Sequence, residues 1–134
     1  MAGVLIHEVG LRDGLQVESQ VVPTETKLGW LGRLITSGVD IVQVGSFVHP
    51  EKVPQMADTD ELFRRLTAQT RTAGPIFSGL VLNEKGLERG LACGVQMFCL
   101  GVSASEIQSR KNTGMGTEDA TRRMIATAIE AKRA

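Results

Sequence analysis

The chain lacks net charge: its fifteen Lys and Arg residues are matched by fifteen Asp and Glu, so no global field favours nucleic acid or an anionic membrane surface. A small anionic substrate would have to be met by local charge. No run approaches the roughly 18 apolar residues of a membrane span. The start, Met1 to Gly10, shows no basic segment leading into a long apolar core. These absences give the expectation of a cytoplasmic protein with no membrane and no nucleic-acid partner. Cysteine is scarce as well. Cys93 and Cys99 lack CxxC spacing and fall in apolar surroundings, which suits reduced core thiols better than a disulfide or a zinc site. A glycine-rich GxGxxG phosphate turn is missing after the first apolar run, which argues against a doubly wound dinucleotide fold.

What is present fits one ordinary globular domain over 1–134, with 42% apolar and 22% charged residues. A unit repeats along it: an apolar strand, a polar or glycine-bearing mouth, an amphipathic helix, and a glycine before the next strand. Strands are expected near 4–9, 39–44, 76–82 and 95–102. The first helix opens at Pro23 and Thr24, carries Leu28, Leu31, Leu34 and Ile35 on one face, and ends at Gly38. Leu62, Phe63 and Leu66 form the stripe of the second helix. Asn83 caps the third, which carries Leu87 and Leu91 and stops at Gly94. The fourth, Thr117 to Arg133, places Glu118 and Asp119 at the positive end of its dipole. Residues 45–57 and 103–116 are expected to be long mouths without a helix.

Strands alternating with helices imply parallel βαβ units with right-handed crossovers. Since a complete (β/α)8 barrel needs roughly 250 residues, four units make about half of one. The fold expected is therefore α/β, with parallel (β/α) units of a TIM barrel. In such folds chemistry is housed at the C-terminal mouths of the strands. There the segment Glu8-Val9-Gly10-Leu11-Arg12-Asp13-Gly14-Leu15-Gln16 sets a guanidinium beside a carboxylate between two glycines. Two readings stand: a catalytic pair, or an exposed turn with a local ion pair.

Three segments together carry a resemblance: Glu8 to Gln16; Ser46-Phe47-Val48-His49-Pro50-Glu51-Lys52-Val53-Pro54-Gln55-Met56-Ala57-Asp58; and Ser103-Ala104-Ser105-Glu106 followed by Lys111-Asn112. Along its whole length the chain resembles the N-terminal half of hydroxymethylglutaryl-CoA lyases, which belong to the metal-dependent lyase and Claisen-type condensing barrels. The resemblance implies metal-assisted retro-Claisen cleavage of 3-hydroxy-3-methylglutaryl-CoA to acetyl-CoA and acetoacetate, within leucine or ketone-body metabolism. It implies Asp13 as a ligand of Mg²⁺ or Mn²⁺ that also handles a proton, and Arg12 as the group that stabilises the enolate oxygen. Gln16 matches a glutamine that faces the active site. Ser46 and Gln43 would meet substrate, while Arg110 and Lys111 would meet anionic parts of an acyl-CoA. The plain readings of Ser46 and of Arg110 and Lys111 are a turn residue and solvated charges.

The sequence departs from the family pattern in places. Gln43 stands where the second strand usually presents a glutamate, and an amide can neither carry charge nor accept a proton at neutral pH. Val17-Glu18-Ser19 replaces Asn-Glu-Lys. The family's His-x-His metal pair and late asparagine ligand belong to the second half of the barrel. Neither His7, expected to be a satisfied core histidine, nor His49, on a loop, stands in for that pair. Two function classes follow: a lyase half completed by a second polypeptide, by self-association or by a longer parent chain, and a non-catalytic truncated half-barrel. A related aldolase or Claisen condensing enzyme is a third reading, which the Val-Pro-Gln-Met-Ala-Asp run disfavours.

Overall fold

The computed structural model describes residues 3–68 and 73–134. Four strands, β1 (His7–Glu8), β2 (Ile41–Ser46), β3 (Ile76–Val81) and β4 (Met97–Leu100), pair in parallel in the order β1-β2-β3-β4. Helices α1 (Thr24–Ile35), α2 (Thr59–Thr67), α3 (Glu84–Ala92) and α5 (Thr117–Arg133) alternate with them, and an additional helix, α4 (Glu106–Thr113), interrupts the last mouth. Four β/α units in sequence order are thus observed.

Register sorts the side chains onto two faces. Val42 and Phe77 lie side by side on one face, where with Val81 they join Leu31, Leu62, Phe63 and Leu66 in a helix-covered core. The opposite face carries the rows His7, Ile41 and Ile76; Gln43, Ser78 and Met97; and Ser46, Leu80 and Cys99. The register shifts between Gln43 and Gly45, and all six residues of β2, which has a neighbour on each side, are buried. The apolar side chains of that second face are unevenly covered: Ile41 is buried at 7%, whereas Ile76 is 44% and Met97 39% exposed.

The outer strands are shorter than their apolar runs predict. Val4, Leu5 and Ile6 are exposed, and the backbone there is tied to β2 at Ile6: its carbonyl accepts from Ile41 N at 3.0 Å and its amide donates to Asp40 Oδ2 at 2.7 Å. An edge strand has one neighbour, so pairing ends where that neighbour ends, while apolar content extends further. Both helix stops hold: Gly38 and Gly94 take φ of +89° and +74°, the left-handed conformation that ends a helix. The helix α4 escapes sequence reading because it has no apolar stripe, Ser109 being its only buried residue. Local chemistry starts and stops it, with Ser105 Oγ accepting from Gln108 N at 3.4 Å and Gly114 at φ +75°. Glu106 joins it to α5 by accepting from Thr117 N at 2.8 Å.

Phe47, just past β2, is seated by glycines. A Cβ on Gly79 would lie 2.8 Å from its ring and one on Gly86 2.8 Å from its carbonyl oxygen. Its ring stacks on Phe63 at 5.5 Å between centroids, and the Arg89 guanidinium lies 5.6 Å above it. Cys93 is buried, as expected of a core thiol, and burial raises its pKa; Cys99 is half-buried on the second face.

The last helix is held to α3 by Arg123 and Glu84. The guanidinium, and then its own backbone amide, bring the Glu84 carboxyl down from 4.5 to about 2. A depressed carboxyl stabilises the fold above its unfolded value and loses that contribution as pH falls toward the folded one. Because the two side chains are 39% and 43% exposed, the pair contributes no more than about 1 kcal/mol. Glu84→Gln should therefore lower the urea midpoint slightly at pH 7. The gap to the wild type should close as pH falls from 4.5 toward 2, and a gap independent of pH would contradict this linkage.

Candidate active site

The chain leaves β1 through a π-helical turn, Gly10–Gly14, which the sequence pattern does not foretell. Val9 O accepts from both Arg12 N at 3.0 Å and Asp13 N at 2.7 Å, so one carbonyl winds the turn. Leu11 plugs it into the core at 5% exposure. The Glu8 carboxylate folds back to accept from Gly10 N at 2.6 Å, in space a Cβ at Gly10 would enter, 2.7 Å away. With Leu11 fixed inward, Arg12 and Asp13 are presented together at the mouth.

Arg12 spans two partners of opposite character. Its Nε donates to Gln43 Oε1 at 2.5 Å and its Nη1 to Asp13 Oδ1 at 2.8 Å. Gln43 is buried in β2 at 3% exposure, whereas the Asp13 side chain is 67% exposed and the Arg12 side chain 19%. An ion pair so open to water is worth about 0–1 kcal/mol, too little to explain the arrangement as fold stabilisation. The geometry holds a guanidinium fixed from behind by an amide and leaves a carboxylate available in front. Asp13 fits one position around a hard divalent cation, because Arg12 engages Oδ1 and the rest of the carboxylate faces solvent. Mg²⁺ commonly takes one or two carboxylates and keeps several waters. Among the described residues no group of three His, Cys, Asp or Glu surrounds it.

Two further side chains at this end carry unmet hydrogen-bonding capacity. Ser46 is fully buried with no partner for Oγ, and Gln16 Oε1 is likewise buried and unpaired. A buried polar atom left without a partner costs about 1–3 kcal/mol, and Ser109 Oγ and Thr117 Oγ1 are likewise unpaired away from the mouth. Arg110 and Lys111 do not join the cluster. Both are exposed on α4, where Arg110 pairs with Glu106 at 2.8 Å, and no hydrogen bond or ion pair links either to Arg12, Asp13, Gln16, Gln43 or Ser46. His7 is half-buried on the second face with Nε2 2.8 Å from Ser78 Oγ, which is the satisfied histidine expected; His49 is exposed.

Sequence reasoning missed what aligns the two loops. Lys27, on α1 and 1% exposed, donates from Nζ to Asp58 Oδ1 at 2.7 Å and to Gln55 O at 2.6 Å. Thr24 Oγ1 donates to Asp58 Oδ2 at 3.0 Å, and Gln55 Nε2 donates to Glu18 O at 2.6 Å. On the other side, Arg89 on α3 pairs with Asp60 and donates from Nη1 to Val48 O at 3.0 Å. The Val53 to Asp58 run is therefore a brace that fixes the Ser46 loop against the loop holding Gln16. Its signal was present in the Gln and Asp of that run, without any hint of a lysine from α1.

A profile of the HMGL-like family matches residues 3–134. The chain belongs to that family. It is 37% identical over 116 residues to a hydroxymethylglutaryl-CoA lyase of Bacillus subtilis, covering 87% of this chain and 38% of the relative. It is also 37% identical over 119 residues to an (R)-citramalyl-CoA lyase of Chloroflexus aurantiacus, with 84% and 38% covered. Among solved structures, the Bacillus subtilis HMG-CoA lyase superposes with a TM-score of 0.89 at 34% identity, over 97% of this chain and 43% of that one. An Acinetobacter baumannii HMG-CoA lyase, in complex with coenzyme A and 3-methylmalate, gives 0.84 at 31% identity, over 94% and 40%. The chain thus spans about 40% of these relatives, corresponding to their N-terminal part, and its four parallel β/α units match those of the HMG-CoA lyase TIM barrels.

The brace can be tested by unfolding. Asp58→Ala leaves the Lys27 ammonium buried with only a carbonyl for partner and should cost about 3–5 kcal/mol. Adding Lys27→Met should recover most of that loss, because the stranded charge is gone. Urea melts in which the two changes simply add would show that the pair is not coupled.

Proposed function

We propose that this chain supplies half of the active site of a carbon-carbon lyase that cleaves a 3-hydroxy-3-methylglutaryl-CoA-like thioester to acetyl-CoA and acetoacetate within a complete barrel. The observation that carries the reading is Arg12 anchored on buried Gln43 and paired with exposed Asp13 at a strand mouth. Cleavage removes a proton from the tertiary hydroxyl, breaks the adjacent carbon-carbon bond and leaves the electron pair on the thioester as an enolate, which protonation turns into acetyl-CoA. A divalent cation, Mg²⁺ or Mn²⁺, would supply a template for the substrate's hydroxyl and carboxylate oxygens. Asp13 would hold that cation and would take the hydroxyl proton. The Arg12 donors that Gln43 and Asp13 leave open would meet the enolate oxygen, and a planar guanidinium fixed at Nε offers them at a set angle. Ser46 Oγ and Gln16 Oε1 would find in substrate the partners they lack in the protein. Arg110 and Lys111, standing apart on α4, would meet the anionic portions of CoA rather than the reacting carbons.

One observation favours a second reading, a half-barrel without turnover. Gln43 leaves Arg12 balanced by a single carboxylate and provides no second proton acceptor. Variants in a complete barrel separate the two. Asp13→Asn should abolish metal-dependent cleavage. Arg12→Lys should lower kcat more than it raises KM, because it loses charge stabilisation that develops late. Gln43→Glu should raise turnover. Equal rates for the wild type and Arg12→Lys would remove the enolate role from Arg12.

Val4, Leu5 and Ile6 beside β1 and Met97 on β4 are exposed, and these apolar edges support completion of the half by another copy, a complementary barrel half or the remainder of a longer chain. Sedimentation at micromolar concentration should show self-association of the isolated chain, and calorimetry should show weak Mg²⁺ binding without substrate. A well-behaved monomer that binds Mg²⁺ tightly would overturn both.

A further inference from the structure

We propose that His7 is a positioning residue for the candidate site: anchored on Ser78 across β2, its imidazole forms the floor beneath Gln43 and so holds the Arg12 guanidinium at its angle. The role of Arg12 in this rests on the lyase reading above. His7 stands on β1 beside Ile41, one row deeper than Gln43, whereas Ser78 stands on β3 beside Gln43 itself. The strand β2 runs between those two. With His7 Nε2 2.8 Å from Ser78 Oγ, the imidazole therefore crosses the second face of β2 between Ile41 and Gln43. Burial follows that path: Ile41 and Gln43 are 7% and 3% exposed, while Ile76, beside Ile41 on the next strand, is 44% exposed. Ser78 Oγ donates its one proton to Val42 O at 3.4 Å and so accepts from the imidazole, which places a proton on Nε2. The ring is pinned at its far end to the residue that lies alongside Gln43.

Gln43 has need of such a support. Among the described residues its side chain hydrogen-bonds to Arg12 alone, and that bond fixes a distance without stopping the two side chains from swinging together. The other partner of Arg12, Asp13, is open to water and holds it loosely. Fold stability does not call for the polar pair. The neighbours of His7 in its row, Ile41 and Ile76, are apolar, and replacing both partners of a hydrogen bond by apolar groups of similar shape is close to neutral. His7→Leu combined with Ser78→Ala would leave the strands packed. What the pair adds is a flat ring held at both ends, which cannot rotate out from beneath Gln43.

Two measurements test this separately from the lyase reading. The first follows exchange of the Arg12 Nε–H with water by NMR in the ¹⁵N-labelled chain, alongside the urea midpoint. His7→Leu should speed that exchange at least about tenfold with the midpoint little changed. Ser78→Ala should act in the same direction, the double variant should go no further, and His7→Gln, whose amide can donate to Ser78, should stay near the wild type. Where His7→Leu does not fold, Ser78→Ala decides by the same signal. Unchanged Arg12 exchange would overturn the proposal, and a lowered midpoint beside it would make His7 a clamp between strands and nothing more. The second measurement uses the complete barrel and the thioester. A guanidinium loosened from its angle should lose about tenfold in kcat, with KM within about twofold, in His7→Leu, and His7→Gln should recover most of it. Equal kcat for the wild type and His7→Leu would overturn the positioning role while the lyase reading stands. Cleavage by none of them, with Arg12 exchange still governed by His7, would overturn the lyase reading and leave the support of Arg12 in place.

Discussion

One buried ammonium group sets the relation between the first two strand mouths. Lys27 reaches from α1 beneath the following loop and finds a carboxylate and a carbonyl there, at a depth where an unpaired charge would not be tolerated. Because Asp58 also holds Thr24, and Gln55 reaches to Glu18, the loops after β1 and β2 form one body. Ser46 is placed by its register in β2, and the link holds the loop of Gln16 against the run that follows that strand. A run that reads in sequence as a family signature therefore has a mechanical role.

The candidate site has an asymmetric electrostatic design. Gln43 lies in the core, where an ionised carboxylate would bear a large desolvation cost, and the ionised partner Asp13 lies at the solvent side. A neutral amide behind holds the guanidinium at Nε, and a charged carboxylate in front holds it at Nη1.

Much of this was legible in the residues. The spacing of Leu28, Leu31, Leu34 and Ile35, the stripe of Leu62, Phe63 and Leu66, and the stops at Gly38 and Gly94 report burial and backbone conformation directly, so α1, α2 and α3 could be placed from them. Arg12 and Asp13 were legible as neighbours at a mouth. Their junction with Gln43, 31 positions on, was not, because it depends on strand register. Edge strands were overextended because Val4, Leu5 and Ile6 carry the composition of a strand without the neighbour that defines one. The helix α4 was invisible for the opposite reason: capping and glycine make it, and periodicity marks only helices that bury a stripe.

Phe47 sits between Gly79 and Gly86 with no spare volume, one glycine on the neighbouring strand and the other on the helix that follows it. Neither glycine can gain a side chain while the ring or its carbonyl stays in place, and a smaller residue at Phe47 would open a void against Phe63. The three positions can therefore change only together. In descendants of this chain they should drift as a linked set, and the path from one acceptable combination to another passes through intermediates that pack badly. Variation in the loop after β2 is thereby pushed outward, to the exposed stretch from His49 to Lys52, where a change in length leaves the seat of Phe47 untouched.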